Sequence, residues 1–407
     1  MNHDKKYQKM APYRIWGENL DAGAVQQMDD ACSLPISIKG ALMPDAHQGY
    51  GLPIGGVLAV DGAVIPYAVG VDIACRVKMT LLDIPFKEYE EHRGKFKIAL
   101  ETQTRFGVGE AFSRPKHHGV MDEDWSFCHP VKSLKDKAWK QLGTSGSGNH
   151  FAEFGRLVLQ KEELGLEKGV YLALMTHSGS RGAGADIAKH YSTLARRLHP
   201  ELPRNLSNLA WLDLKSAEGR EYWLAMELMG RYSAANHDII HQSVLNHLGA
   251  MSLLSLENHH NFAWKAQLGN REVIVHRKGA TPAGKGVLGV IPGSMASPAF
   301  IVRGLGNEDS LCSAAHGAGR RMSRTAAIKQ FDWPEITAVL AEKEVTLISA
   351  GIDEAPMAYK RIETVMDQQK DLVEIIARFD PKLVKMAPPD RHGRKGRKKK
   401  AEKENRF

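Results

Sequence analysis

Short apolar runs separated by turns predict several β-strands along the chain. β-Branched residues and flanking Gly or Asp mark these runs as strands: 57–59, 63–65, 77–82, 157–159, 170–175 and 273–275. Between them the sequence carries helical patterns as well. We therefore expect a protein in which strands alternate with helices.

Two segments have the periodicity of amphipathic helices. In segment 186–198, after a Gly-rich turn that ends at Gly184, helical spacing relates Ile187, Tyr191, Leu194 and Leu198. In the longer segment 220–248, one face of the predicted helix carries Leu224, Leu228, Ala235 and Ile239. Both apolar faces are expected to pack on the core.

The longer helix also carries two histidines four residues apart, His237 and His241. That spacing suits zinc ligands on a helix, but Asp238 stands where the metalloprotease motif requires glutamate. We interpret both residues, and His247, as surface or core residues of the helix.

The sequence has no fixed-period repeat, and no Pro/Ser-rich linker divides it. We therefore predict an α+β fold with one large domain of mixed β-sheets flanked by helices, residues 1–387. The remaining residues, 388–407, form a basic tail that is expected to be disordered or loosely helical.

Composition is that of an ordinary globular protein, with 407 residues, of which 43% are hydrophobic and 25% charged. No apolar run approaches the roughly 20 residues of a membrane span, and the N-terminus lacks a signal-peptide pattern. We expect a cytoplasmic protein without membrane contact. The scattered cysteines, Cys32, Cys75, Cys128 and Cys312, indicate neither a disulfide framework nor a zinc ribbon.

The positive charge is concentrated at the C-terminal end. Of the net charge of +8, the tail accounts for +6. Such a tail is either a solvated segment or a nonspecific arm that binds polyanions. Neither interpretation identifies a catalytic site.

The segment His316-Gly317-Ala318-Gly319-Arg320 carries the first candidate chemistry. A neutral imidazole nitrogen is a competent nucleophile toward phosphorus, and small neighbours let a phosphate approach the backbone N–H groups. Arg320 can neutralise anionic oxygens with a planar fork of donors. Taken alone, the segment fits equally well a histidine without a catalytic role in a Gly-rich loop before a helix.

Candidate metal ligands occur next to strand ends and Gly-rich turns. Asp72 and Cys75 lie three residues apart after a strand-like run, His150 follows a Gly/Ser loop, and His177 ends an apolar run. His260 belongs to the pair in His259-His260-Asn261. Each could instead be a structural residue. Together they form a ligand set suited to Mn²⁺, Zn²⁺ or Fe²⁺, and the residues alone leave that choice open.

Gly-rich segments surround these residues and suggest loops that contact anions. They occupy 143–148, 178–184, 279–286 and 292–294, with Lys278 and Lys285 nearby. None is a Walker A loop, because Gly286 stands where Ser or Thr should follow Lys285.

A series of ordered motifs resembles the RtcB family of RNA ligases. In chain order they are MPDAHQGYG (43–51), VGVDIAC (69–75), LGTSGSGNHFAE (142–153), HSGSRG (177–182), HHN (259–261), RKGATPAGKG (277–286), IPGSM (291–295), RGLGNE (303–308), HGAGR (316–320) and DEAPMAYK (353–360). The resemblance implies a GTP- and Mn²⁺-dependent ligase that joins RNA 3′-phosphate or 2′,3′-cyclic phosphate ends to 5′-hydroxyl ends, in RNA repair or tRNA splicing.

The resemblance also implies roles for individual residues. His316 would be the nucleophile that forms a GMP-histidine intermediate. Two Mn²⁺ ions would be held, with Cys75 bridging them, by Asp72, Cys75, His150, His177 and His260. The nucleotide would be contacted by Asn149, His150, Phe151, Ala152, Glu153, His260, Asn261, Pro292, Gly293, Ser294, Met295, His316, Gly317, Ala318, Gly319, Tyr359 and Lys385. In that set, Phe151 would lie against the base and Glu153 would read its edge.

The chain departs from the family pattern at several positions. The family usually has VDIGCG where this chain has Ala74 and Arg76, and often has cysteine at the position of Asn258. Ala299 replaces a nucleotide-contacting serine. Lys385 matches a lysine that normally closes the chain, but here the basic tail follows it.

Two rival functions remain at this point. A metal-dependent phosphoesterase acting on RNA ends would use the same ligands without a covalent nucleotide. An RNA-binding protein would use the basic tail alone. The physiological RNA and a protein activator are left open by the sequence.

Overall fold

The computed structural model describes residues 10–389, and the predicted tail lies outside the described residues except for Pro388 and Pro389. The strands are β1 (Tyr13–Ile15), β2 (Ser37–His47), β3 (Ile54–Val60), β4 (Ala63–Val64), β5 (Arg76–Leu82), β6 (Phe151–Leu159), β7 (Gly169–Ser178), β8 (Leu212–Asp213), β9 (Ser252–His259), β10 (Asn261–Leu268), β11 (Arg271–Lys278), β12 (Ala280–Pro282), β13 (Leu288–Ile291), β14 (Ala299–Gly304), β15 (Ser313–Ala315), β16 (Thr346–Ser349) and β17 (Val373–Met386).

The helices lie between these strands. They are α1 (Ala22–Cys32), α2 (Pro66–Val69), α3 (Phe86–Glu91), α4 (Arg93–Gln103), α5 (His129–Lys132), α6 (Lys135–Gln141), α7 (Arg181–Leu198), α8 (Ala217–Leu248), α9 (Arg324–Gln330), α10 (Trp333–Glu342) and α11 (Ile362–Asp367). The predicted fold class, mixed β-sheets flanked by helices, is confirmed.

Two sheets organise the molecule. The larger has the strand order β13-β14-β17-β6-β7-β5-β9, with β16 added in parallel beside β17. The smaller has the order β1-β2-β3-β11-β10, and short pairs join β12 to β15 and β4 to β8. β9 is the last strand of one sheet and β10 of the other, and only His260 separates them. The His259–Asn261 segment therefore lies where the two sheets meet.

The predicted strands occur at their expected positions. Runs 57–59, 63–65, 77–82, 157–159, 170–175 and 273–275 fall in or largely in β3, β4, β5, β6, β7 and β11. Each observed strand except β4 is longer than its run. Strand pairing extends into flanking Gly, Thr, His and Arg residues that propensity alone does not assign to strands.

Both predicted helices form, but each begins before its predicted start. Each predicted apolar face is also partly wrong, and in α7 Leu198 is 50% exposed. Helix α7 begins at Arg181, because the Gly-rich segment after it continues the helix rather than forming a turn. In α8, Leu224 is 49% exposed, although it was predicted to lie on the packed face. This 32-residue helix packs on several elements, so its buried residues do not follow one stripe.

The core interpretation of His237 and His241 is confirmed. Both are buried on α8, and each ring bonds to the Thr176 hydroxyl of β7, at 2.7 and 2.8 Å. His247 is exposed, as the surface interpretation requires. These contacts fix α8 on β7, the strand that carries His177.

Within residues 10–389, we find no helix that combines the length and apolarity needed to cross a membrane. All four cysteines are free.

Candidate functional site

The predicted metal ligands converge at one end of the larger sheet. Asp72 and Cys75 lie in the turn between α2 and β5, His150 immediately precedes β6, and His177 is near the end of β7. Because β5, β6 and β7 are neighbours in the sheet, these ends meet: Phe151 pairs with His177, and His177 pairs with Val77. Residues far apart in sequence are thus brought into one cluster.

Cys75 is the centre of this cluster. Its Sγ atom lies 3.1 Å from His177 Nε2 and 3.5 Å from His150 Nε2. Ligand atoms of these three buried residues all lie within 4.8 Å of one another. A buried thiol with two imidazoles at this separation could hold a metal ion.

Hydrogen bonds to backbone carbonyls orient two imidazoles. His150 Nδ1 lies 2.5 Å from the Ser145 carbonyl oxygen, and His177 Nδ1 lies 3.1 Å from that of Asn149. A carbonyl can only accept, so both Nδ1 atoms donate, and both Nε2 atoms face Cys75. This second layer of contacts is typical of histidines that bind metals.

Asp72 and His260 flank the group on two sides. An oxygen of Asp72 lies 3.0 Å from His150 Nε2, and the other accepts from the Ser180 N–H at 3.1 Å. His260 Nε2 lies 3.3 Å from His177 Nε2, and its buried Nδ1 has no partner among the described residues. The five predicted ligands are therefore together.

Burial determines the protonation of these groups. It lowers the pKa of His177 to about 3 and the pKa of His260 well below its usual value, with nearby histidines adding to the effect. Burial, with the Asp72 carboxylate, raises the pKa of the Cys75 thiol. His177 and His260 are therefore neutral ligands, and a metal must displace the Cys75 thiol proton to bind.

The turn that joins Asp72 to Cys75 is strained at Ala74. Its φ is +55°, in the left-handed region, and its N–H donates to the Asn261 carbonyl at 2.7 Å. A side chain in this conformation costs about 1–2 kcal/mol, whereas glycine adopts it without that cost. The glycine that the family usually has at this position fits the same geometry.

Replacing this alanine should therefore stabilise the protein. We expect Ala74→Gly to raise the free energy of unfolding by up to about 1 kcal/mol, because relief of strain exceeds the extra entropy of glycine in the unfolded chain. Urea denaturation measures the change. Ala185→Gly, in the helical part of α7, should instead destabilise. A loss of stability in Ala74→Gly would contradict the strain.

His316 lies beside the metal-ligand cluster. Its ring centroid is 4.8 Å from that of His260, and its side chain is 15% exposed. His316 Nδ1 lies 2.6 Å from an oxygen of the fully buried Asp45, which also accepts from the His316 backbone N–H at 3.1 Å. Asp45 therefore holds the proton on Nδ1 and leaves the lone pair on Nε2.

A cavity of about 270 Å³ opens on His316. It is lined by residues of the predicted nucleotide set: Asn149, Phe151, Glu153, His260, Pro292, Gly293, Ser294, Met295, His316, Gly317, Ala318, Gly319 and Tyr359. The small residues Gly293, Gly317, Ala318 and Gly319 leave room for a ligand beside His316.

Glu153 and Phe151 lie on β6 in this cavity. Glu153 is 3% exposed, and burial raises its pKa well above the usual value. Within residues 10–389 we find no hydrogen bond to its carboxyl group. A ligand with two adjacent N–H donors would satisfy it, and the Phe151 ring offers an apolar face to a planar group.

Two arginines, Arg320 and Arg324, also line the cavity. Arg320 lies 3.5 Å from Glu354, stacks on the Tyr359 ring at 5.1 Å, and donates to the Asp353 carbonyl at 2.7 Å. Arg324 is paired with Asp353 at 2.7 Å and with Glu354. These pairs orient both guanidinium groups along the cavity, where they can meet anionic oxygens.

Three predicted nucleotide contacts lie away from the cavity. Ala152 packs on the other face of β6, and Asn261 bonds to the Asp72 carbonyl and the Gly279 N–H behind the metal-ligand cluster. Lys385 donates to the carbonyls of Leu100 and Thr104. In β17 it is Met386, one residue later and on the other face, that lines the cavity. His150 lies with the metal ligands.

Sequence reasoning missed Asp45, His47, Arg324 and Glu354. Asp45 and His47 belong to the quoted segment 43–51, and a carboxylate inside a run of buried residues was a usable signal. Glu354 belongs to the quoted segment 353–360. Arg324 had no signal, because its placement depends on how α9 packs against the 352–354 turn.

The fold and the site define a class of enzyme with mixed helices and sheets. In this class a buried Cys/His group that could bind a metal lies next to His316 and to a cavity lined by two arginines. Comparison with known proteins makes the assignment more specific. The family model described as tRNA-splicing ligase RtcB matches residues 27–131 and 127–386. The chain therefore belongs to the RtcB family.

Individual relatives are similar over nearly their whole length. The chain is 35% identical to an RNA-splicing ligase RtcB of Escherichia coli K12, over 92% of this chain and 97% of the relative. It is 32% identical to a tRNA-splicing ligase RtcB of Methanococcus maripaludis, over 86% and 88%. A tRNA-splicing ligase RtcB of Pyrobaculum aerophilum is 30% identical, over 88% and 90%.

Proposed function

We propose that this chain is an RNA ligase that joins 3′-phosphate or 2′,3′-cyclic phosphate ends to 5′-hydroxyl ends, using GTP and Mn²⁺ through a GMP-histidine intermediate. The observation that carries the proposal is the position of His316. Its Nε2 lone pair is left free by Asp45, and its ring lies between the cavity and the metal-ligand cluster.

The donor set fits the proposed metal. A thiolate, a carboxylate and three imidazoles suit a borderline divalent cation, and one of these imidazoles, His260, has a buried Nδ1 without a partner among the described residues. Asp72, Cys75, His150, His177 and His260 would hold the two ions. Bound there, Mn²⁺ supplies Lewis acidity and neutralises phosphate charge.

His316 has a defined task in the first transfer. Nε2 attacks the α-phosphorus of GTP, a P–N bond forms, and pyrophosphate leaves. The imidazole gains positive charge as it attacks, and the Asp45 carboxylate, in contact with Nδ1–H, stabilises that charge. Arg320 and Arg324 neutralise the oxygens of the phosphates.

The later steps pass GMP to the RNA. If the end is a cyclic phosphate, water first opens it to a 3′-phosphate. An oxygen of that phosphate then attacks the phosphorus of GMP-histidine, and His316 leaves with its lone pair restored. The 5′-hydroxyl finally attacks the activated 3′-phosphate, and GMP departs. Positioning and charge neutralisation dominate such transfers.

A joining assay tests the function. Two RNA fragments, one ending in a 3′-phosphate and the other beginning with a 5′-hydroxyl, should give a joined product with GTP and Mn²⁺, and none when either is omitted. Release of phosphate from the RNA end without joining would contradict the proposal and favour a phosphoesterase.

Cys75 should be required for metal content. Because the Cys75 thiol lies within 3.5 Å of two imidazoles of the cluster, Cys75→Ala should lose most of its bound Mn²⁺ and reduce joining by about 10²-fold or more. Metal analysis of the purified variant measures this. Cys128→Ala removes a buried thiol that bonds to Tyr191 outside the site and should retain metal. Wild-type metal content in Cys75→Ala would exclude Cys75 as a ligand.

Glu153 should select guanine. Its carboxyl group can accept from the N1 and N2 donors of guanine, a pair that adenine lacks, and such a contact is worth about 1–3 kcal/mol, or roughly 5- to 150-fold. The wild-type protein should therefore be labelled more by GTP than by ATP. In Glu153→Gln the ratio of GTP labelling to ATP labelling should be smaller. Glu162→Gln, on the surface, should leave it unchanged. Equal labelling by both nucleotides in the wild type would contradict the assignment.

A further inference from the structure

The hairpin between β2 and β3 displays an aromatic side chain at the rim of the cavity. His47 and Ile54 pair at its base, and both line the cavity beside His316. Beyond them the hairpin carries Tyr50, whose side chain is 71% exposed. The Tyr50 ring is therefore available to a ligand that extends from the cavity.

The backbone of this hairpin tip is held firmly although the side chain is free. Gln27 of α1 bonds to Gly49 through both its oxygen and its nitrogen, at 3.0 and 2.7 Å. Lys278 donates to the Tyr50 carbonyl. Gly51, with φ +70°, lies so close to the Asn208 backbone that a side chain there would clash. The tyrosine is thus presented from a fixed position.

Lys278 connects this tip to both halves of the site. It also donates to the Tyr67 carbonyl at 3.1 Å, and its side chain approaches Gly70, two residues before Asp72. The next residue, Gly279, packs against the ring of His316. Tyr50 is therefore linked through Lys278 to the segment that precedes Asp72, and through the neighbouring Gly279 to His316.

Positive charge and a second aromatic ring adjoin Tyr50. The Arg196 guanidinium lies 5.8 Å from the Tyr67 ring centroid and bonds to Asn208, the residue that Gly51 contacts. Val71 is 47% exposed beside Asp72. We call Tyr50, Tyr67, Val71 and Arg196 the rim patch.

Helix α7 extends the positive charge from the metal-ligand cluster to the rim patch. It begins at Arg181, beside Asp72, and carries Lys189, Arg196 and Arg197 against a single acidic residue, Asp186. Fifteen residues of helix span about 22 Å, the length of several nucleotides. Basic side chains beside exposed aromatic rings are the combination that holds single-stranded nucleic acid.

We propose that the rim patch binds the RNA strand next to the ends that are joined, with an unpaired base stacked on Tyr50 and a backbone phosphate near Arg196. This inference rests on the proposed function and adds the surface that its substrate occupies. Tyr50 would be a positioning residue for the RNA and would take no part in the reaction with GTP.

Separate measurements of GTP labelling and RNA use test the proposal. Without RNA, Tyr50→Ala should be labelled by GTP at the wild-type rate. With RNA, its KM for the 3′-phosphate strand should rise about tenfold, a factor that corresponds to about 1.4 kcal/mol and lies within the range for stacking of one base. Tyr50→Phe keeps the ring and should restore the wild-type KM.

An abasic substitution identifies the stacked base. Removing it from the strand should raise the wild-type KM about tenfold and leave that of Tyr50→Ala nearly unchanged, because each change removes the same contact. Arg196→Gln should reduce the slope of the logarithm of RNA affinity against the logarithm of salt concentration by about one, as expected for the loss of one phosphate contact. Met251→Ala, at a residue 70% exposed on another surface, is the control and should behave as wild type.

The outcomes separate this inference from the proposed function. If Tyr50→Ala and Arg196→Gln use RNA as well as the wild type while the wild type joins RNA, the rim patch does not bind the substrate. If the wild type neither joins RNA nor reacts with GTP, the proposed function itself fails. Direct binding of 3′-phosphate RNA to the wild type and to Tyr50→Ala still tests the rim patch in that case, and equal affinities overturn it.

Discussion

His316→Ala should abolish both labelling by GTP and joining of a 3′-phosphate end, yet retain the last step of the reaction. The variant lacks the Nε2 lone pair that accepts GMP. An RNA supplied with a guanylylated 3′ end no longer needs that nucleophile. It needs only the metal-ligand cluster and the arginines, which stabilise the attacking and leaving oxygens. His316→Ala should therefore join such an RNA.

Two comparisons make this result specific. His177→Ala should fail on activated RNA as well, because it removes a metal ligand, and His247→Ala, at an exposed histidine of α8, should behave as wild type throughout. If His316→Ala is folded and metal-loaded but as inactive on activated RNA as on 3′-phosphate RNA, then His316 has a role other than carrying GMP.

Asp45→Asn should slow GTP labelling by about 10- to 150-fold, the equivalent of about 1.5–3 kcal/mol for a charged hydrogen bond. The buried Asp45 oxygen that accepts from His316 Nδ1–H and from its backbone N–H would lose its charge when the imidazole becomes cationic. Single-turnover labelling at saturating GTP measures the rate.

The same substitution should spare the step that does not use the histidine. Asp45→Asn should join guanylylated RNA at nearly the wild-type rate. That result would show that the variant is folded and that its slow labelling comes from the lost charge. Asp122→Asn, at an exposed aspartate, is the matched control. A wild-type labelling rate in Asp45→Asn would show that this contact does not assist the nucleophile.

The sequence predicted local elements best where one physical preference dominated. The apolar run in β7 and the long helical pattern of α8 formed as expected. Strand β17 was not predicted, because Asp380 and Pro381 interrupt it and proline argues against a central strand. The structure accommodates Pro381 at a register shift between β17 and β6, with Gly155 opposite. How a proline is accommodated inside a strand depends on the partner strand, so the local sequence around Pro381 does not reveal it.

For the site, the sequence motifs identified the residues but not which of them contact one another. The resemblance nominated the metal ligands and His316, and the structure brings them together. Motif position could not tell that Ala152 and Lys385 point away from the cavity, since neighbouring residues of a strand face opposite sides. Nor could it pair Asp45 with His316, 271 residues apart, because that contact arises only when β2 lies beside β15.

The most direct test is to incubate the wild-type protein with Mn²⁺ and GTP labelled at the α-phosphate, and to locate the label by peptide mass spectrometry. We expect GMP on the peptide that contains His316, bonded through an acid-labile P–N linkage, and discharge of the label when 3′-phosphate RNA is added. An unlabelled protein that nevertheless joins RNA, or GMP attached to another residue, would contradict the account.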